Sequence, residues 1–217
     1  MTQNAPASRP LLALAARVGR VLRHDTRAVA AVEFALLLPL MLTLYIGSVE
    51  VTQLLTADRR IVLLSRTIGD LTTQSASLVA ADVDNILNAS TAVLAPMAAT
   101  DARLRVSSIA ISGSGSTDPK VPNKASVCWS YQRNWTALTK GSFLSTDDLP
   151  TGLRTDVGSS LVMAEVQYPY KPVIGYVITG TVTLSEKIFM RPRVSTYVSR
   201  TDMTNNAIPN PTTGPCT

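Results

Sequence analysis

Few residues in this 217-residue chain are of the types that carry covalent or metal chemistry. The single histidine, His24, stands among arginines just before an apolar run. A zinc ion or a catalytic triad needs further ligands or partners around such a ring, and none stands near it in sequence. The two cysteines, Cys128 and Cys216, are far apart and form no Cys-x-x-Cys or Cys/His pattern, which argues against a metal site. Gly113-Ser114-Gly115-Ser116 lacks the lysine and the flanking strand of a phosphate cradle. Asp147-Asp148 lacks the regular oxygen spacing of a calcium loop. Trp129, Tyr131 and Trp135 are the types that stack on bases or sugars. Without an accompanying basic patch they are better explained by packing. The expectation is a non-enzymatic protein with no cofactor and no metal.

The net charge of +5 is not spread along the chain. Arg9, Arg17, Arg20, Arg23 and Arg27 fall in residues 1–28 against Asp25 alone. A nucleic-acid binder needs its basic residues on the folded surface, so no nucleic-acid partner is expected. Charged residues are 16 % of the chain and apolar ones 46 %, a low charged share for a soluble domain.

Ala28 to Val49, AVAAVEFALLLPLMLTLYIGSV, accounts for that shortfall, with Glu33 its only charge. About 20 apolar residues in a helix cross the hydrocarbon core of a bilayer. Pro39 lies inside the run; membrane helices tolerate proline with a local kink. Tyr45 is near the far end, where amphipathic rings favour the interface. The arginines precede the span and Glu50 follows it. The bias of basic residues toward the cytoplasm then puts the N-terminus inside and the C-terminal mass outside. The expected topology is a single pass through the cytoplasmic membrane, with an extracytoplasmic domain. A cleaved secretory signal is the competing reading; its long basic region, Glu33 and a poor cleavage site count against it.

RAVAAVEFALLLPLMLTLYIGSVEV, followed by RRIVLLSRTIGDLTTQ, resembles the N-terminus of the TadE-like family of Flp/Tad pilus-assembly proteins. The likeness is specific over about residues 27–75 and general elsewhere: a short outer domain, a late Arg191-Pro192-Arg193 segment and a cysteine near the C-terminus. It implies a minor pseudopilin with a pilin-like fold. The implied partners are membrane lipid, other pilin or pseudopilin subunits, Tad assembly proteins and a prepilin peptidase. In the family that peptidase cuts before the apolar run, with a glutamate fifth in the mature chain. By that pattern Glu33 is fifth, Val29 first and Ala28 the residue before the cut. The family has Gly where Ala28 stands, which leaves cleavage here open. Glu33 has two readings. One is a charge tolerated near the interface. The other, implied by the resemblance, is a partner for a neighbouring subunit's N-terminal amine, neutralising both charges as helices pack.

Beyond the span, Leu54, Ala57, Ile61, Leu64 and Ile68 recur at helical spacing. They extend the helix to about residue 75, with its second half packed on the outer domain. A further helix is expected near 80–95, with Asp82 as its starting residue and Pro96 as its stop. Strands follow at 103–111, 127–131, 161–168 and 180–190. The Gly- and Pro-punctuated 112–124 is a loop, and 133–160, mixed and polar, is a long excursion. Pro169 marks the end of the third strand as a sheet edge open to a partner.

The fold class is therefore α+β: a long N-terminal helix on a small antiparallel sheet. Its expected parts are a basic tail (1–27), a transmembrane helix (28–49), a helical segment (50–98), a β domain (99–200) and a C-terminal tail (201–217). An oxidising compartment permits a Cys128–Cys216 disulfide, with two free thiols as the alternative. The bridge would close a loop of about 88 residues and contribute at most about 4.5 kcal/mol by the chain-entropy account. A different class also fits: an envelope-anchored ligand-binding or sensory domain with no pilus connection. Neighbouring genes for a prepilin peptidase and a secretion ATPase, or for a kinase or transporter, would separate the two.

Overall fold

Helix α1 runs without a break from Thr26 to Thr73 in the computed structural model, which describes residues 26–113, 124–145, 149–153 and 157–202. Its first half is rich in Ala, Leu and Met, which lose little side-chain freedom in a helix. Pro39 lies within it and leaves the carbonyl four residues earlier without its usual donor. The hydroxyls of Thr43, Ser48, Thr52 and Thr56 each donate to a carbonyl three or four residues back, at 2.8 Å. No polar group among these four therefore requires an outside partner.

The second half of α1 buries one stripe. Ala57, Ile61, Leu64 and Ile68 are buried, with Leu54 partly covered. Complete burial of each Ile or Leu contributes roughly 1.5–3 kcal/mol. The stripe packs on a four-stranded antiparallel sheet in the order β3-β2-β4-β5. These strands are β2 (Arg103–Ser112), β3 (Lys124–Arg133), β4 (Ser160–Tyr170) and β5 (Val182–Met190). The α+β expectation holds, with each strand a few residues longer or shorter than periodicity placed it. Gly69 lets β5 come close: a Cβ there would lie 3.0 Å from the Met190 sulfur.

Helix α2 (Ala80–Thr91) packs Val83 and Leu87 into the same core. Asp82 does not start it. The helix begins two residues earlier, and the Asp82 carboxylate accepts the Val79 N–H at 3.0 Å, satisfying a donor the first turn leaves free. A parallel pair, β1 (Ser77–Leu78) with β6 (Ser199–Arg200), straps the end of the described chain to the helical layer. Asp202 continues that strap, accepting the Ala80 N–H at 2.9 Å at the start of α2. The Arg191-Pro192-Arg193 segment finishes α1: the Arg193 N–H donates to the Thr73 carbonyl at 3.0 Å, and its guanidinium pairs with Asp70.

One expectation holds for only part of its strand, and another needs correction. The third strand, β4, is interior and runs through Pro169 to Tyr170. Its pairing with β2 stops at Gln167, so its last three residues have β5 alone beside them, and its first two, Ser160 and Leu161, have β2 alone. Proline is tolerated there because the ladder has already lost one flank. The 133–160 excursion is also more than polar loop. Leu138, Leu144, Leu149 and Leu153 cover the sheet face away from α1, around Ile109, Ile111, Leu161 and Met163.

Candidate functional site: the exposed apolar helix and its collar

From Val29 to Tyr45, α1 is exposed on every side; packing against the rest of the chain begins at Ile46. Large apolar side chains point outward all round, including Phe34, Leu36, Leu40 and Leu44. A helix apolar on all faces belongs in an apolar medium or a bundle, and this one is long and apolar enough to cross a membrane. Glu33 is exposed within it. At 1.5 Å per residue, Glu33 and Glu50 stand about 25 Å apart along the axis. That nearly matches the hydrocarbon thickness of ~30 Å.

Glu50 marks the boundary and is itself fully buried. Its carboxylate accepts the backbone N–H groups of Tyr176 at 2.8 Å, Val177 at 3.1 Å and Ile178 at 2.7 Å. These donors come from the loop between β4 and β5. Three consecutive amides converge on one anion because Gly175 takes φ +67°, the left-handed conformation that turns successive N–H groups to one side. The Ile178 N–H leads the hydrogen bonds that hold the Glu50 carboxyl below its ordinary range, against the opposing effect of desolvation. Below this contact, Val177 packs on Gly47, where a Cβ would lie 3.4 Å from a Val177 methyl. The loop forms a collar against one side of the end of the apolar run, while Tyr45, Ser48 and Val51 stay exposed. Sequence reading took Glu50 only as the first charge after the span. The available signal was a glycine-containing apolar turn in 171–180 together with that carboxylate.

The outer domain holds two further charged constellations. On the sheet face away from α1, Glu165 is buried between Arg105 at 2.6 Å and Lys187 at 3.4 Å. The Arg105 guanidinium stacks 4.4 Å from the Trp135 ring centre and donates to the Thr136 carbonyl at 3.0 Å. On the other face, Arg200 lies over the Trp129 and Tyr131 rings, at 5.9 and 5.1 Å, and pairs with Asp202. Hydrogen bonding to Arg200 is the main cause that lowers the Asp202 carboxyl. The Trp129 indole N–H donates to the Val198 carbonyl at 2.8 Å. Tyr131 donates to Asp84 at 2.8 Å, and that bond raises its phenol. The aromatic residues therefore pack and lock elements together, as weighed from the sequence.

The predicted site residues are dispersed. Ala28, Val29 and Glu33 lie in the first turns of α1. Cys128 is buried in β3 beside Trp129. The register slips there, so both adjacent residues join the core on the α1 side. Cys216, Asp147 and Asp148 lie outside the described residues, as does His24.

A long helix, bare and apolar at one end and built into an antiparallel sheet domain at the other, defines a class of helix-anchored α+β proteins. The particular likeness lies in the helix: residues 28–68 match the family model of TadE-like protein. The match covers the apolar run, Glu33, Glu50 and the buried stripe as far as Ile68, and stops short of the sheet. No curated protein and no solved structure matches the chain.

Proposed function

We propose that this chain is a non-enzymatic minor pseudopilin, an assembly component of a Tad (Flp-type) pilus. Residues 28–49 anchor it in the inner membrane, the arginine-rich tail is cytoplasmic and the sheet domain lies on the far side. The observation that carries this reading is the continuity of α1. The TadE-like segment, residues 28–68, spans both the exposed apolar half of α1 and the buried stripe by which its other half packs on the domain. Such a helix can leave the bilayer only together with its domain, which suits a subunit that packs by its helices and presents its sheet.

Ala30, Ala31, Ala35 and Gly47 offer the small side chains that close helix packing in lipid requires. Glu33 then meets a neighbouring subunit's new N-terminal amine, provided a prepilin peptidase cuts between Ala28 and Val29. In the oxidising compartment Cys128 pairs with Cys216, tying the tail to β3.

Extraction of native membranes with alkaline carbonate, with a reporter fused after Thr217, tests the anchor and its orientation. Retention in the pellet with reporter activity outside the cytoplasm is expected. Release into the supernatant, or activity only in the cytoplasm, refutes it. Co-isolation with Tad pilus components from cells, lost on Glu33→Ala, tests the pilus assignment.

A further inference from the structure

We infer that the β4–β5 loop, residues 171–180, is a second membrane contact, a wedge that sits in the lipid interface beside the exit point of α1 and sets the attitude of the domain on the bilayer. This rests on the reading of residues 28–49 as the membrane span.

The first ground is position. The loop is tied to Glu50, where the apolar run ends, by three backbone hydrogen bonds of 2.7–3.1 Å. Val177 reaches past that point to Gly47, about 4.5 Å deeper along the helix axis. Whatever surrounds the end of the span therefore surrounds this loop.

The second ground is composition. Val173 is 84 % exposed and Tyr176 62 %, with Ile174 and Val177 also exposed. Among the described residues these four side chains stay exposed at the loop, although Val177 also meets Gly47. Residues 171–180 contain no acid, and Lys171 stands at the rim. Lysine and tyrosine suit the headgroup level, where an ammonium meets lipid phosphate and a phenol keeps its hydroxyl wet.

The third ground is the backbone. A loop entering lipid must satisfy its own N–H groups, since the medium offers no acceptor. The Glu50 carboxylate does this for Tyr176, Val177 and Ile178. Exposed loops in water have no such need. The combination of bare apolar side chains with internally satisfied amides favours lipid over solvent.

Depth-dependent fluorescence quenching tests this with the full chain in phosphatidylcholine–phosphatidylglycerol vesicles. Three variants each add a tryptophan to the native pair: Tyr176→Trp in the loop, Leu40→Trp in the span, and Phe143→Trp at the far end of the sheet. Emission above wild type is followed with lipids brominated near the headgroup or near the chain end. Loss of the Tyr176→Trp signal with shallow bromines is expected, with loss of the Leu40→Trp signal by deep bromines and none for Phe143→Trp. Val173→Trp repeats the loop measurement at a side chain that makes no bond to Glu50. If Leu40→Trp is quenched while both loop variants are not, the wedge is overturned and the span stands. If no variant is quenched, span and wedge fail together. Shielding of the loop that grows with protein-to-lipid ratio, without bromine quenching, also overturns it and points to a second copy as the occupant.

Discussion

Replacing Arg105 by Met removes the closest partner of a buried carboxylate. Among the described residues Glu165 keeps Lys187 at 3.4 Å as its ionic partner, in place of Arg105 at 2.6 Å. The Glu165 side chain is 6 % exposed and cannot turn to water without moving the strand. Stranding one member of a buried pair costs about 3–5 kcal/mol. The remaining Lys187 contact places Arg105→Met near the lower end, at about 3 kcal/mol, including about 0.5–1 kcal/mol for the lost stacking on Trp135. Glu165→Met leaves Arg105 its stacking partner and a path to solvent, so about 1–2 kcal/mol is expected. In the double variant both charges are gone, and two apolar side chains of similar volume fill the space. Its cost exceeds that of Glu165→Met alone only by the lost stacking, about 0.5–1 kcal/mol, which gives a coupling of about 2–2.5 kcal/mol. Urea unfolding of the full chain in detergent micelles, followed by tryptophan fluorescence, yields each value from the midpoint at constant slope. Single costs that add to within ~0.5 kcal/mol in the double variant refute the argument, because they mean that the carboxylate does not depend on Arg105.

The Glu50 carboxyl is held below its ordinary value of 4.5 by the loop amides. The collar is therefore fully supported above that value and is lost only as pH falls through the lower, folded value. Amide hydrogen exchange at Tyr176, Val177 and Ile178 reads this directly; release of protection at or above pH 4.5 contradicts it. Glu50→Gln should abolish the pH dependence and weaken the protection, since its carbonyl oxygen can still accept from Val177 and Ile178 while its NH₂ faces the Tyr176 N–H. Trp129→Phe withdraws the donor to Val198 and is expected to cost about 1–3 kcal/mol, with faster proteolysis of the 198–202 strap. Ala28→Gly should raise the fraction of chain beginning at Val29 when a prepilin peptidase is co-expressed, as seen by intact mass. Unreduced protein from the envelope should resist alkylation at Cys128 and Cys216, and uptake of two labels without reductant would refute the bridge.

The apolar run and its charge flanks were legible because membrane insertion depends on composition summed over a window, which needs no tertiary contact. The same holds for the stripe Ala57, Ile61, Leu64 and Ile68, whose spacing is the helical repeat itself. The four strands were visible as period-two segments, but their order was not. The interior place of β4 depends on pairing with β2 and β5, which no local pattern records. Pro169 told only of its own surroundings: it falls where β2 has ended and one flank is open, while the strand before it is interior. The leucines of the 133–160 excursion likewise looked scattered, since aperiodic residues acquire a common face only when a sheet lies beneath them. Glu50 shows the limit most clearly. In sequence it is a charge ending a greasy helix. Its meeting with Tyr176, Val177 and Ile178, more than a hundred residues later, is decided by where the β4–β5 turn falls against the helix. Local composition set what α1 can dissolve in, and only the fold decided what closes around it at the boundary.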